Sequence, residues 1–181
     1  MRPTINNNVL DSTAKGDAIY INQYSSFTTN DIVVAKVDWH NDYVIKRIVG
    51  TPGDKIEIKE ENGHYAVYVN DSLLYTKEKY MDKDSFGLSG SVKYFEDYKS
   101  FLINPEFQKW VKHENGHSYI ELGEEDYFIM GDNWGHTTDS ISHGPVKTSA
   151  IIGKVDLIVD ATNTSPFTAT LFFLKKLFSI N

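Results

Sequence analysis

From Asp17 to Val69 the apolar positions fall in short runs, and the clearest of them alternates with period two. Lys55-Ile56-Glu57-Ile58-Lys59 sets isoleucines on one face and charges on the other, as a half-buried strand requires. Ala18–Ile21, Asp31–Val37 and Tyr43–Val49 are rich in β-branched and aromatic residues, which suit a pleated surface. Turn chemistry separates the runs. Pro52-Gly53-Asp54 presets one dihedral and frees the next, and Asn62-Gly63 predicts a hairpin into Tyr65–Val69. Strand character returns at Ser118–Leu122, Tyr127–Met130 and Ile151–Val155. This pattern predicts a mainly β fold of antiparallel, barrel-like sheets.

Between Tyr80 and His117 the period changes. Ser85–Ser91 reads as a loop rich in Gly and Ser. Phe95, Tyr98, Phe101 and Leu102, three or four apart, predict one face of a short helix that ends before Pro105. Phe107, Trp110 and Val111 fit either a second helical turn or a strand. Residues 71–117 therefore read as an inserted α/β subregion, flanked by a β core of residues 1–70 and 118–160. Residues 161–181 form an amphipathic C-terminal segment in which Lys175 and Lys176 interrupt Leu171–Leu174 and Leu177-Phe178. Such a segment suits packing on the domain or lying against anionic lipid. No run approaches the ~18 apolar residues of a membrane span. Nor does Met1-Arg2-Pro3-Thr4, leading to Asn6-Asn7-Asn8, read as a signal peptide. A soluble chain, at most peripherally attached, is expected.

Composition narrows the function classes. The 181 residues suffice for one substantial domain. A net charge of -7 lacks the basic footprint of a nucleic-acid binder. With no cysteine, disulfides and thiolate metal sites are excluded.

Candidate chemistry gathers in three stretches: Met1–Ile5, Tyr43–Asp54 and Gly131–Val146. Lys46 lies in an otherwise apolar run up to Arg47, and alternation sends these two side chains to opposite faces. A lysine in apolar surroundings loses solvation of its charged form, so its pKa falls and it becomes a candidate general base. A lysine snorkelling from a sheet edge is the competing reading. The third stretch offers Asp132, Thr137 and Asp139 as groups to brace a nearby cation. It has no Glu to close a calcium loop, and His136 and His143 stand seven apart without support, so no metal is expected.

Taken together, the stretches resemble bacterial type I signal peptidases. That family carries Ser-Met-x-Pro-Thr-Leu, then Lys-Arg-x-x-Gly-x-Pro-Gly-Asp, then Gly-Asp-Asn-x-x-x-Ser-x-Asp-Ser-Arg-x-x-Gly. Here Met1–Ile5, Lys46–Asp54 and Gly131–Gly144 match in that order, and the resemblance spans nearly the whole chain. It implies that Lys46 is the catalytic lysine and that Thr137 supplies the hydroxyl bonded to it. It also implies an ion pair between Arg47 and Asp139 beside the site, and makes Asp132 the acid of the Gly-Asp-Asn turn. Val44 and Ile45 match the strand beside which substrate lies, and Met1 matches a residue lining the small-side-chain pocket. Ile141 replaces the family's loop arginine, and Trp134 takes a usually polar position.

The resemblance further implies cleavage of signal peptides from exported preproteins by a Ser/Lys dyad. Signal peptides would bind as extended strands, with no cofactor, at the extracytoplasmic face of the bacterial cytoplasmic membrane. The membrane surface is a further expected partner. The family's serine immediately precedes the residue matched by Met1, so the chain as written is expected to be inactive. The alternative is a catalytically inactive homologue serving as a peptide-binding or assembly factor. Intact Lys46, Arg47 and Asp139 weigh against such decay. A self-cleaving repressor-type protease is not expected to carry Gly131–Gly144 in this form.

Overall fold

The computed structural model describes residues 18–61, 64–76, 87–132, 134 and 137–159. Within them the strands are β1 (Ala18–Asn22), β2 (Ile32–Lys36), β3 (Tyr43–Gly50), β4 (Lys55–Glu61), β5 (His64–Val69) and β6 (Ser72–Thr76). They continue as β7 (Val111–Glu114), β8 (His117–Glu121), β9 (Asp126–Met130), β10 (Val146–Lys147) and β11 (Ile151–Val159). Helix α1 covers Gly87–Ile103, and a single turn, α2, covers Ser140–His143. Two open sheets result, with orders β1-β11-β2-β3-β9-β10 and β6-β5-β4-β8-β7. Every pairing is antiparallel. The mainly β, antiparallel architecture expected from the sequence is present.

Strands β3 and β9 join the two halves of the core. All five residues of β9 are buried, and period-two alternation divides them. Tyr127 and Ile129 pack with Val33, Ala35, Val44 and Ile48. Phe128 and Met130 pack on the opposite face with Ile56, Ile120 and Phe101. Val49, one residue after Ile48, falls by alternation in the second cluster, and the register along β3 shifts between Ile48 and Gly50. Gly50 lets the Ile56 and Leu122 side chains close over the backbone, since a Cβ would lie 2.6 Å from Ile56 Cδ1 and 2.9 Å from Leu122 Cδ1. The Pro52-Gly53-Asp54 turn then carries the chain into the second sheet. Gly53 has φ +84°, and the Asp54 carboxylate accepts from Thr51 N at 2.7 Å and Thr51 Oγ1 at 2.9 Å. At the β4–β5 hairpin Glu61 stands opposite His64; the connecting Asn62-Gly63 lies outside the described residues.

The expected helix over Phe95–Leu102 is present, but it is longer than its apolar spacing suggests. It begins at Gly87, so residues 87–91 are helical and not the loop that their Gly and Ser content predicts. Docking of the C-terminal half explains the extension: Phe95 stacks on Tyr65 at 4.7 Å, and Tyr98 and Phe101 are buried. Once those turns are fixed, propagation toward the N-terminus needs no second nucleation. The helix stops before Pro105, which opens a 3-10 turn over Pro105–Phe107 capped by Asn104 Oδ1. Val111 then enters a strand. Residues 71–117 thus supply both edges of the second sheet, β6 and β7, and a helix sharing its core. Met1 and the segment 161–181 lie outside the described residues. Among the described residues no helix is long and apolar enough to cross a membrane.

Candidate active site

Two neighbouring strands and the loop after β9 build the site. On β3, Lys46 stands opposite Val33 of β2, while Arg47 stands opposite Ile32 on one side and Met130 of β9 on the other. Alternation then sorts the side chains by face. Lys46 shares its face with Val44, Ile48 and the Cα–H of Gly131. Arg47 shares the opposite face with Met130 and Asp132.

On the first face Lys46 Nζ donates to Thr137 Oγ1 at 3.0 Å. Space for this contact exists because residue 131 is glycine. A Cβ at that position would overlap Thr137 Oγ1, approach Thr137 Cβ to 2.6 Å and touch Lys46 Nζ at 3.4 Å. Burial draws the Lys46 ammonium below the ordinary lysine value, against the opposing pull of the Asp139 and Asp132 carboxylates.

Asp139 holds the loop. It is fully buried and caps α2, its Oδ1 accepting from Ile141 N at 3.1 Å. Its Oδ2 accepts from Gly131 N at 2.9 Å. Burial pushes its carboxyl above the usual value, opposed by the Gly131 amide, the Lys46 charge, the Ile141 amide and Thr137. Ser140 Oγ accepts from Ile129 N at 3.0 Å. Strand β10 reaches only Tyr127 and Asp126, so two side chains of the loop take over where the ladder stops.

The expected Arg47–Asp139 pair is not the one formed. Arg47 grips Asp132 with two parallel bonds, Nε to Oδ1 at 3.0 Å and Nη2 to Oδ2 at 2.9 Å, while Nη1 donates to Asn30 O at 2.9 Å. Parity decides this outcome. Met130 faces Arg47 across the ladder and Asp132 follows it by two, whereas Asp139 sits under Gly131 on the lysine's side.

The Val44 side chain is buried in the core. Its backbone is another matter. Strand β9 pairs with β3 only from Arg47 onward. Along residues 43–46 that side of β3 has no strand partner among the described residues, and half-buried Ile45 lies in this stretch. Lys46 therefore borders an open sheet edge. No cluster of three or more His, Cys, Asp or Glu able to hold a metal occurs among the described residues.

A family model described as signal peptidase, peptidase S26, matches residues 3–160, which include this whole constellation. The chain belongs to the signal peptidase family. Signal peptidase IB of Staphylococcus aureus (strain Mu50) is 30% identical over 159 residues, covering 84% of this chain and 73% of that protein. Signal peptidase I of Bacillus caldolyticus is 31% identical over 126 residues, covering 70% of this chain and 58% of that protein. Among solved structures, a signal peptidase I from Enterococcus faecalis V583 aligns with a TM-score of 0.43 and 19% identity, over 72% of this chain and 97% of that one.

Both departures from the signal peptidase loop pattern have a packing role. Ile141 and Trp134 are buried with Phe101, Phe128 and Met130, so apolar contact anchors this loop where the family pattern has a loop arginine. Sequence reasoning missed Gly131 as the source of room for Lys46, and Ser140 as the clasp on β9. Both lie inside the Gly-Asp-Asn stretch, but steric room and a side-chain bond to a strand leave no period or spacing to read.

Proposed function

We propose that this signal peptidase domain cleaves signal peptides of exported preproteins by a Ser/Lys dyad with Lys46 as general base. The observation that carries the reading is a lysine amine sunk among apolar groups, oriented by Thr137 Oγ1 at 3.0 Å and drawn below its ordinary pKa by burial. Such an amine is neutral at a lower pH than a free lysine and can take a proton from a hydroxyl. The hydroxyl is that of the family's serine, which precedes the position matched by Met1. Its oxygen attacks the scissile carbonyl carbon while Lys46 takes the proton. Lys46 returns that proton to the departing amine, and water later releases the acyl group by the reverse sequence. Backbone and hydroxyl donors hold the oxyanion.

The open side of β3 at residues 43–46 suits substrate entry. An extended peptide adds there as a strand, bonding the backbone of Val44 and Ile45, and shallow pockets then select the small residues of an A-x-A end. Met1 lines the small-side-chain pocket in this reading. Signal peptides reach the domain at the extracytoplasmic face of the membrane, where it works against the lipid surface. Arg47 and Asp132 fix the lysine strand to the loop. Asp139 positions Thr137, and no cofactor takes part.

Cleavage of an A-x-A signal peptide by a protein carrying serine directly before Met1 tests the proposal. Activity is expected with that serine, none from the 181-residue chain alone, and none from the serine-bearing protein with Lys46→Ala. Full activity in the Lys46→Ala protein would refute the dyad.

A further inference from the structure

At the far end of β9 from Lys46 the surface folds inward into a cleft of about 290 Å³. Gly131 lies five positions beyond Asp126, roughly 17 Å at ~3.4 Å per residue, so the cleft is distinct from the site above. Its wall is Trp110, and its rim carries Lys109, Lys112 and Lys147 against Glu121 and Asp126. Three ammonium groups and two carboxylates line it, and Glu125 acts on Lys147 from beside it.

One of those carboxylates is already engaged. Asp126 Oδ2 accepts from Trp110 Nε1 at 2.7 Å and from Gly123 N at 3.2 Å, while Oδ1 meets Lys147 Nζ at 2.9 Å. The same bonds make the wall rigid, because the indole is pinned at its nitrogen. Its far edge lies close to Gly144, where a Cβ would come within 3.0 Å of Trp110 Cζ3. Lys109 Nζ lies 4.0 Å from the indole centroid, so one cation is held over the wall. Glu121, the other carboxylate of the lining, is exposed.

From this arrangement we infer that the cleft binds a phosphate group, either as the free anion or as the headgroup of an anionic lipid. Lysines bind phosphate as point charges, whereas a planar carboxylate is matched by the arginine fork, and no arginine lines the cleft. The volume lies at the small end of ligand pockets, which suits a phosphate with a short substituent and not a peptide.

The test uses the full chain at low ionic strength. The indole N–H resonance of Trp110 is followed while inorganic phosphate is titrated against chloride of equal ionic strength. In parallel the chain is sedimented with phosphatidylcholine vesicles that contain or lack phosphatidic acid. Saturable binding is expected, weakened about tenfold in the Lys109→Gln/Lys112→Gln variant. It should be unchanged in a Lys36→Gln/Lys99→Gln variant of equal charge. Binding of phosphate in solution identifies the free anion as a ligand. Binding only to vesicles with phosphatidic acid identifies the lipid headgroup. If neither probe binds, or if the control pair weakens binding as much as the cleft pair, the inference fails.

Discussion

Lys46 carries its amine into apolar surroundings at a cost to the fold, and the sign of that cost can be followed with pH. Its folded pKa lies below the ordinary 10.5, so the unfolded chain binds more protons between the two values. Stability therefore rises with pH across that window and is lowest where the buried amine is protonated. The proposed dyad predicts the same direction for cleavage, with a rate that climbs as pH rises through the lowered pKa. Lys46→Met should abolish cleavage in the serine-bearing protein yet melt at or above the parent temperature at neutral pH. A clear loss of stability would show that the amine holds the fold together. Gly131→Ala tests the geometry from the other side. The added methyl displaces Thr137 from Lys46, so cleavage should fall by on the order of 10²-fold, as for a misplaced catalytic group. Activity within twofold of the parent would mean that Thr137 does not orient the amine.

At the scale of elements, the loop after β9 is held by different bonds on its two faces. Asp139 and Ser140 take the free amides of Gly131 and Ile129, while Asp132 takes Arg47 of β3. Both members of that ion pair are shielded, with side chains 12% and 4% exposed. Removing one strands the other, a cost of about 3–5 kcal/mol. In urea unfolding, Arg47→Met and Asp132→Asn should each cost that much, and the double variant should recover on the order of 2 kcal/mol of the sum. Arg47→Met should couple less strongly to Asp139→Asn. Stronger coupling to Asp139 would restore the pairing that the family pattern suggests.

For the whole molecule, Phe101 is the residue that ties α1 to both sheets. It is 1% exposed, stacks on Phe107 at 4.5 Å and meets Phe128 of β9 edge-on at 6.2 Å. Residues 71–117 and strands β3 and β9 therefore share one core, and unfolding should be a single transition. Phe101→Ala should cost about 3–5 kcal/mol and lower the midpoint without splitting the transition. Two resolved steps, one leaving the Lys46 strands folded, would mark residues 71–117 as an independent unit.

The sequence by itself determined the strand-rich architecture, since period-two runs and turn residues are local quantities. It placed the Pro52-Gly53-Asp54 turn and the face of α1 for the same reason. It also singled out Lys46, because a lysine inside an apolar run is conspicuous without any structure, and the ordered motifs made the family legible. Only the tertiary structure decided which acid meets Arg47, because that depends on the parity of β9 against β3. Gly131 and Ser140 were silent for a related reason: one acts by leaving space and the other by reaching a strand eleven residues earlier in the chain. The helical start of α1 was misread because docking of its aromatic face overrode the low helix propensity of its Gly and Ser residues.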